Sequence, residues 1–145
     1  MSTIVVGVDG SEESLRALRF AVEEARIRGA EVKAVAAWYI PPAVYGVGWV
    51  PPPIQLDEYE RGASTTLDTC LAEAGVADSG ISVTPLVREG QAADVLCAEA
   101  KDAALLVVGS RGRGGFRGLL LGSVSQQCAH DAPCPVVIMP RGARS

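Results

Sequence analysis

The stretch Leu105-Leu106-Val107-Val108-Gly109-Ser110-Arg111-Gly112-Arg113-Gly114-Gly115-Phe116-Arg117-Gly118-Leu119-Leu120-Leu121-Gly122-Ser123-Val124-Ser125 decides the fold. It runs from a short continuous apolar segment through a glycine-rich loop into a segment that opens on hydroxyl side chains. An unbroken apolar run of this length reads as a strand covered on both faces, as in a parallel sheet. A strand followed by a glycine loop and a helix start aims backbone N–H groups, with their partial positive charge, at an anion. Glycines at 109, 112 and 122 let those groups approach an anion with no side chain between. The spacing is G-x2-G-x9-G-S, which is not the Walker A pattern G-x4-G-K-[ST]. The loop has no lysine and draws its positive charge from Arg111, Arg113 and Arg117. Taken singly, each glycine also suits a tight strand-to-helix turn, and exposed loop arginines are commonly just solvated.

Working outward, Thr3 to Val8 is a first apolar strand ending in a glycine turn. From Ser11, Leu15, Leu18, Val22 and Ala25 recur at helical spacing, with Ser11 as N-cap, Glu12 and Glu13 in the first turn and Gly29 as the stop. Glu31 to Trp38 reads as a second strand. Leu56, Tyr59, Ala63, Leu67, Cys70, Leu71 and Ala74 form the apolar stripe of a second helix ending at Gly75. Ile81 to Val87 gives a third strand, Gln91 to Lys101 a helix, Ala104 to Val108 a fourth strand, Gly122 to Asp131 a helix and Pro135 to Met139 a fifth strand. Five strands alternating with four helices predict a single α/β domain over residues 1–145, a doubly wound parallel sheet with helices on both faces.

The motif 109–123 resembles that of the ATP-binding members of the universal stress protein family, and the likeness extends over the whole chain. It includes Ile4-Val5-Val6-Gly7-Val8-Asp9-Gly10-Ser11 and the ending His130-Asp131-Ala132-Pro133-Cys134-Pro135-Val136-Val137. The resemblance implies the strand order 3-2-1-4-5, which makes the first and fourth strands neighbours. Their helices leave toward opposite faces and open a crevice at the strands' carboxyl ends, lined by the Gly7 and Gly109 turns. It also implies phosphate contacts from Gly109, Gly112, Gly122 and Ser123, continuing into Val124 and Ser125. The two serine hydroxyls suit phosphate contact or capping of their own helix equally. Asp9 matches the family's acidic residue near the nucleoside, placed for ribose or, through water, for Mg2+; the same residue suits an Asx cap. Ala37 matches a position whose backbone contacts adenine, and Ala36 stands where relatives often carry histidine.

Bulk properties narrow the function further. A chain of 145 residues, 48% of them apolar, buries one core and leaves no room for a second domain. A net charge of −4 argues against nucleic acid as a partner, and no apolar run approaches the roughly 18 residues of a membrane span. The expected location is the cytoplasm. Cys70, Cys97, Cys128 and Cys134 lack metal-ligand spacing and read as reduced, mostly buried thiols. The loop Trp38 to Pro53, rich in proline and aromatics, reads as a lid or partner surface, or else as an irregular loop anchored on the core.

The function these residues support is an ATP-dependent regulatory module, with a slow ATPase and a binder of cyclic AMP as alternatives. The lone His130 sits at the far end of the last helix, so no residue is in place to activate water. An unidentified regulated protein would be one partner. A second copy of the chain would be another, joined through Pro135-Val136-Val137-Ile138-Met139, an apolar strand at a sheet edge that needs covering.

Overall fold

A computed structural model describes residues 1–40, 53–111 and 121–140, with side-chain environments given for all of these except 53–55. The elements are β1 (Thr3–Gly7), α1 (Glu12–Arg28), β2 (Glu31–Trp38), α2 (Pro53–Glu73), a single 3-10 turn (Val76–Asp78), β3 (Val83–Glu89), α3 (Ala92–Glu99), β4 (Leu105–Gly109), α4 (Ser123–Asp131) and β5 (Val136–Met139). The sheet is parallel throughout and ordered β3-β2-β1-β4-β5. The order reverses between β1 and β4, as expected. Gly112, Arg113, Arg117, most of the Trp38–Pro53 loop and the tail 141–145 lie outside the described residues.

Alternation along the central strands explains the layers. Ile4 and Val6 of β1 join Val107 of β4 in a core beneath α1 and α2, with Leu18 and Leu67. Val5, Leu106 and Val108 point the other way, into a core with Leu96 and Cys128 beneath α3 and α4. Both faces of β1 and β4 are therefore covered, and their sequences are apolar without a break.

Local chemistry sets the boundaries. The Ser11 hydroxyl accepts the Ser14 amide proton at 3.1 Å, and Gly29 closes α1 in the left-handed region at φ 67°. β3 starts two residues later than the apolar run suggests. The Ile81 amide donates to the Ser79 hydroxyl at 3.1 Å, which turns Ile81 out of the ladder although its side chain still packs on the core. At its other end β3 continues through Arg88 and Glu89, polar residues kept extended by pairing with Ala37 and Trp38. Backbone pairing there overrides the end of the apolar signal.

Gly109 is a point of contact between layers. A Cβ on it would lie 2.7 Å from Glu13 Cβ and 3.0 and 3.1 Å from backbone atoms of Glu13 and Ser14, so the first turn of α1 rests directly on the end of β4. Gly7 is similarly confined: its Cβ would come within 2.8 Å of the buried Leu96 side chain. All four cysteines are free thiols. Burial pushes Cys128 up to about 12, and Cys97 and Cys134 are raised for the same leading reason.

Two outcomes follow from this packing. Gly109→Ala forces α1 away from β4 and costs about 1–3 kcal/mol, read as a lowered denaturant midpoint. The thiols act at alkaline pH. Unfolded, Cys128 ionises from about pH 9, whereas in the fold it stays neutral toward 12, so stability is full below pH 9 and falls as pH rises above it. Urea titrations between pH 8 and 11 should show that decline, with a shallower slope in Cys128→Ala.

Candidate functional site

The crevice at the carboxyl ends of β1, β2 and β4 is two connected clefts. The narrower, of about 70 Å³, takes Gly7, Asp9, Ala37, Gly109, Arg111 and Val124 among its lining residues. These are residues singled out from sequence, drawn together from four separate segments. The wider cleft, of about 680 Å³, shares Val8, Asp9, Ala37, Ala92 and Val124 with the first and continues to Trp38, Tyr39 and the α2 residues Glu58, Tyr59, Gly62 and Thr66. Their combined size is that of a small-molecule site.

α4, whose Val124 lines both clefts, begins without a side-chain cap, since its N-cap is Gly122. The amides of Ser123, Val124 and Ser125 form its first turn and have no acceptor four residues back within the helix. Uncapped helix-start amides of this kind are donors suited to an anion. Gly122 takes a different part: its own amide donates to the Ser110 carbonyl at 2.7 Å, and its φ of −76° with ψ of 171° is backbone that any residue adopts. Ser123 is exposed and accessible to a ligand.

Ser125 takes the structural one of its two roles. It is buried, and its hydroxyl proton is shared between the carbonyls of Ser110 at 2.8 Å and Gly122 at 3.0 Å. Ser110, which sequence reasoning passed over, is the hub of this arrangement. Its amide donates to the Met139 carbonyl at 2.7 Å, and its carbonyl receives both Gly122 and Ser125. The residues on either side of the 111–121 loop are therefore joined at one point, which fixes where α4 starts relative to β4 and β5. A serine directly after a strand carries no periodic signal, so nothing in the sequence marks it.

Asp9 lies between the two clefts with an exposed carboxylate. Its Oδ1 accepts from the Ser11 amide at 2.9 Å and from the Ser11 hydroxyl at 2.6 Å, an Asx turn leading into α1. The Asp9 amide in turn donates to the buried Ser14 hydroxyl at 3.2 Å. Asp9 thus lines both clefts and also shapes the turn. The half-buried Arg111 brings positive charge to the narrow cleft. His130, exposed and hydrogen-bonded to Asp131 at 2.7 Å, has its pKa raised by that contact. It lies seven residues beyond Ser123, roughly 10 Å along the helix axis.

Tyr59 departs from the expectation of a core-facing stripe, whereas Ala63 packs against the core and also reaches the cleft. Both line the wider cleft, and Tyr59 is 42% exposed. The helical period places them on one face but does not say that the face overhangs a crevice. Among the described residues, no group of His, Cys, Asp and Glu side chains is arranged to hold a metal ion by itself, and no helix is long and apolar enough to cross a membrane.

The chain is 39% identical over 141 residues to a universal stress protein of Mycolicibacterium smegmatis, a match covering 95% of this chain and 46% of that relative. It spans about half the length of the curated relatives it matches. Among solved structures it is similar to the universal stress protein of Archaeoglobus fulgidus in complex with dAMP, at 28% identity and TM-score 0.71, covering 96% of this chain and 98% of that one. A universal stress protein in complex with cAMP is 28% identical with TM-score 0.67, over 95% of each chain. The family's sequence profile matches residues 1–140, and with the parallel sheet and reversed strand order already described, this chain belongs to the universal stress protein family.

Proposed function

We propose that the chain binds ATP, carried with Mg2+, and serves as a nucleotide-dependent regulatory module in stress adaptation in the cytoplasm, passing its occupancy to another protein. The observation that carries the reading is the uncapped first turn of α4 beside Arg111, Asp9 and Ala37 on one crevice. An uncapped helix start, a carboxylate and a strand-end backbone on one crevice supply groups suited to phosphate, ribose and base. The dAMP and cAMP complexes of the two neighbours support an adenine nucleotide as the ligand class. Since both of those ligands carry a single phosphate, cyclic AMP is the second reading.

The Asp9 carboxylate in the narrow cleft, with phosphate oxygens from the ligand, matches the way Mg2+ is held in nucleotide sites, largely by the nucleotide and by water. Asp9 would bear on that ion or on the ribose hydroxyls. Phosphate contact is assigned to the amides of Ser123 to Ser125 and to the Ser123 hydroxyl. The backbone at Gly7, Gly109, Gly112 and Gly122 is assigned to the approach of the phosphates, with Arg111 and Arg113 as the positive charge. Catalysis is not part of the reading: a base would have to stand near the first turn of α4, and the lone histidine is at the other end.

A homodimer through β5 completes the reading. Pro135 and Met139 turn their carbonyls to β4, accepting from Leu106 and Ser110. By the alternation of a parallel ladder, Val136 and Ile138 direct their N–H and C=O groups to the open edge. A second β5 laid antiparallel across a two-fold axis would satisfy those groups.

Calorimetric titration tests the ligand. ATP with Mg2+ binds the wild type, and Gly122→Val loses at least about tenfold in affinity, equivalent to roughly 1.4 kcal/mol, without a change of fold. Phosphate release followed over hours stays far below about 1 per second; turnover at that rate, lost in Ser123→Ala, would make the protein an enzyme. Light scattering tests the dimer: the wild type has the mass of two chains. Ile138→Pro, which removes an outward donor and leaves the β4 ladder paired, has the mass of one.

A further inference from the structure

We infer that the cleft-facing side of α2 reads the base of the bound nucleotide, with Gly62 leaving room for the planar ring and Tyr59 and Tyr39 flanking it. This rests on the nucleotide reading above and adds to it residues from an element that the glycine motif does not reach.

The first argument is direction. Gly109 and Arg111 line the narrow cleft alone, whereas Asp9, Ala37 and, from the first turn of α4, Val124 line both. With the phosphates at the narrow end and the ribose near Asp9, the base extends past Ala37 into the wide cleft. That end has the apolar and aromatic lining suited to a ring: Ala36, Ala37, Trp38, Tyr39, Tyr59 and Ala63.

The second argument is Gly62. It is an interior residue of a helix of 21 residues, where glycine costs about 1 kcal/mol against alanine. Packing does not require it. A Cβ built there meets nothing within 4 Å, and no positive φ calls for glycine, unlike Gly29 or Gly75. The fold gains nothing from the missing side chain, but the cleft gains an open floor at that point. Residues 59, 62, 63 and 66 are spaced three and four apart on one helical face, so Tyr59 stands beside this floor and Thr66 beyond it. Tyr39, at the end of β2, lines the same cleft, and the two tyrosines are 41% and 42% exposed. Aromatic rings left half open beside an unfilled floor are available for stacking on a planar ligand.

The test uses the whole protein, with ATP and inorganic triphosphate as probes and thermal melting as a check on the fold. Gly62→Leu fills the floor with a strong helix former, so it should melt no lower than wild type while binding ATP at least about tenfold more weakly. Triphosphate, which has no base, should bind both proteins alike. Tyr59→Phe keeps the ring and should retain wild-type ATP affinity, whereas Tyr59→Ala should lose several-fold. ATP affinity within twofold of wild type in Gly62→Leu overturns the inference and leaves the nucleotide reading standing. Equal losses for ATP and triphosphate would place the damage at the phosphate end and also overturn it. A wild type that takes up neither probe removes the nucleotide reading and this inference together.

Discussion

Contact between the first turn of α1 and the end of β4 is the constraint on which the carboxyl end of the sheet depends. Glu13 and Ser14 come so near Gly109 that no side chain fits between them. That closeness brings the β1–α1 turn, with Asp9 and Ser11, against the strand that leads to α4. The hydroxyl of Ser14 receives the Asp9 amide, and Ser11 caps the helix and holds the Asp9 carboxylate. Steric contact and local hydrogen bonds therefore set one wall of the crevice before any ligand is considered. The glycine at 109 serves this packing first, and whatever it offers a phosphate is an additional consequence.

The opposite wall is set by Ser110. Three elements meet at its backbone: Met139 of β5 accepts from its amide, while Gly122 and Ser125 donate to its carbonyl. A helix whose start is tied in this way presents its first-turn amides in a fixed direction, with little ordering left to do on binding. The carbonyls of Ser110 and Gly122, each already accepting a backbone N–H, also receive the buried Ser125 hydroxyl, so this serine is satisfied and helps hold the start of α4 in position. Because Ser110 also bonds β5, the strand at the open edge and the start of α4 share a fastening.

Arginines on α1 secure the layer around this centre. Arg16 donates to the Pro140 carbonyl at 2.7 Å, Arg19 to Glu73 at 3.2 Å and Arg26 to Ser79 at 2.9 Å. Each reaches a carbonyl near the end of β5, of α2 or of the 3-10 turn. One helix therefore ties down several neighbouring ends through long side chains whose apolar stems also cover the surface. These contacts are exposed, and they matter more for placing the ends than for overall stability.

Sequence alone determined the layers, because burial on both faces writes unbroken apolar runs into β1 and β4, and burial on one face writes the helical period into α1. The Ser11 and Gly29 caps were legible for the same local reason: capping acts within a few residues of the chain. The glycine spacing and the helix start lie on one continuous segment, and the resemblance built on it carried the strand order. Tertiary structure alone decided which glycines serve packing, that Ser110 joins three elements, and that Tyr59 faces a cleft instead of the core. It also cut β3 back to Val83, through the Ile81 amide held by Ser79. Each of these depends on atoms far apart in the chain, or on a hydrogen bond that competes with the ladder. A period or a spacing records which residues share a face; what stands opposite that face is settled only when the layers close.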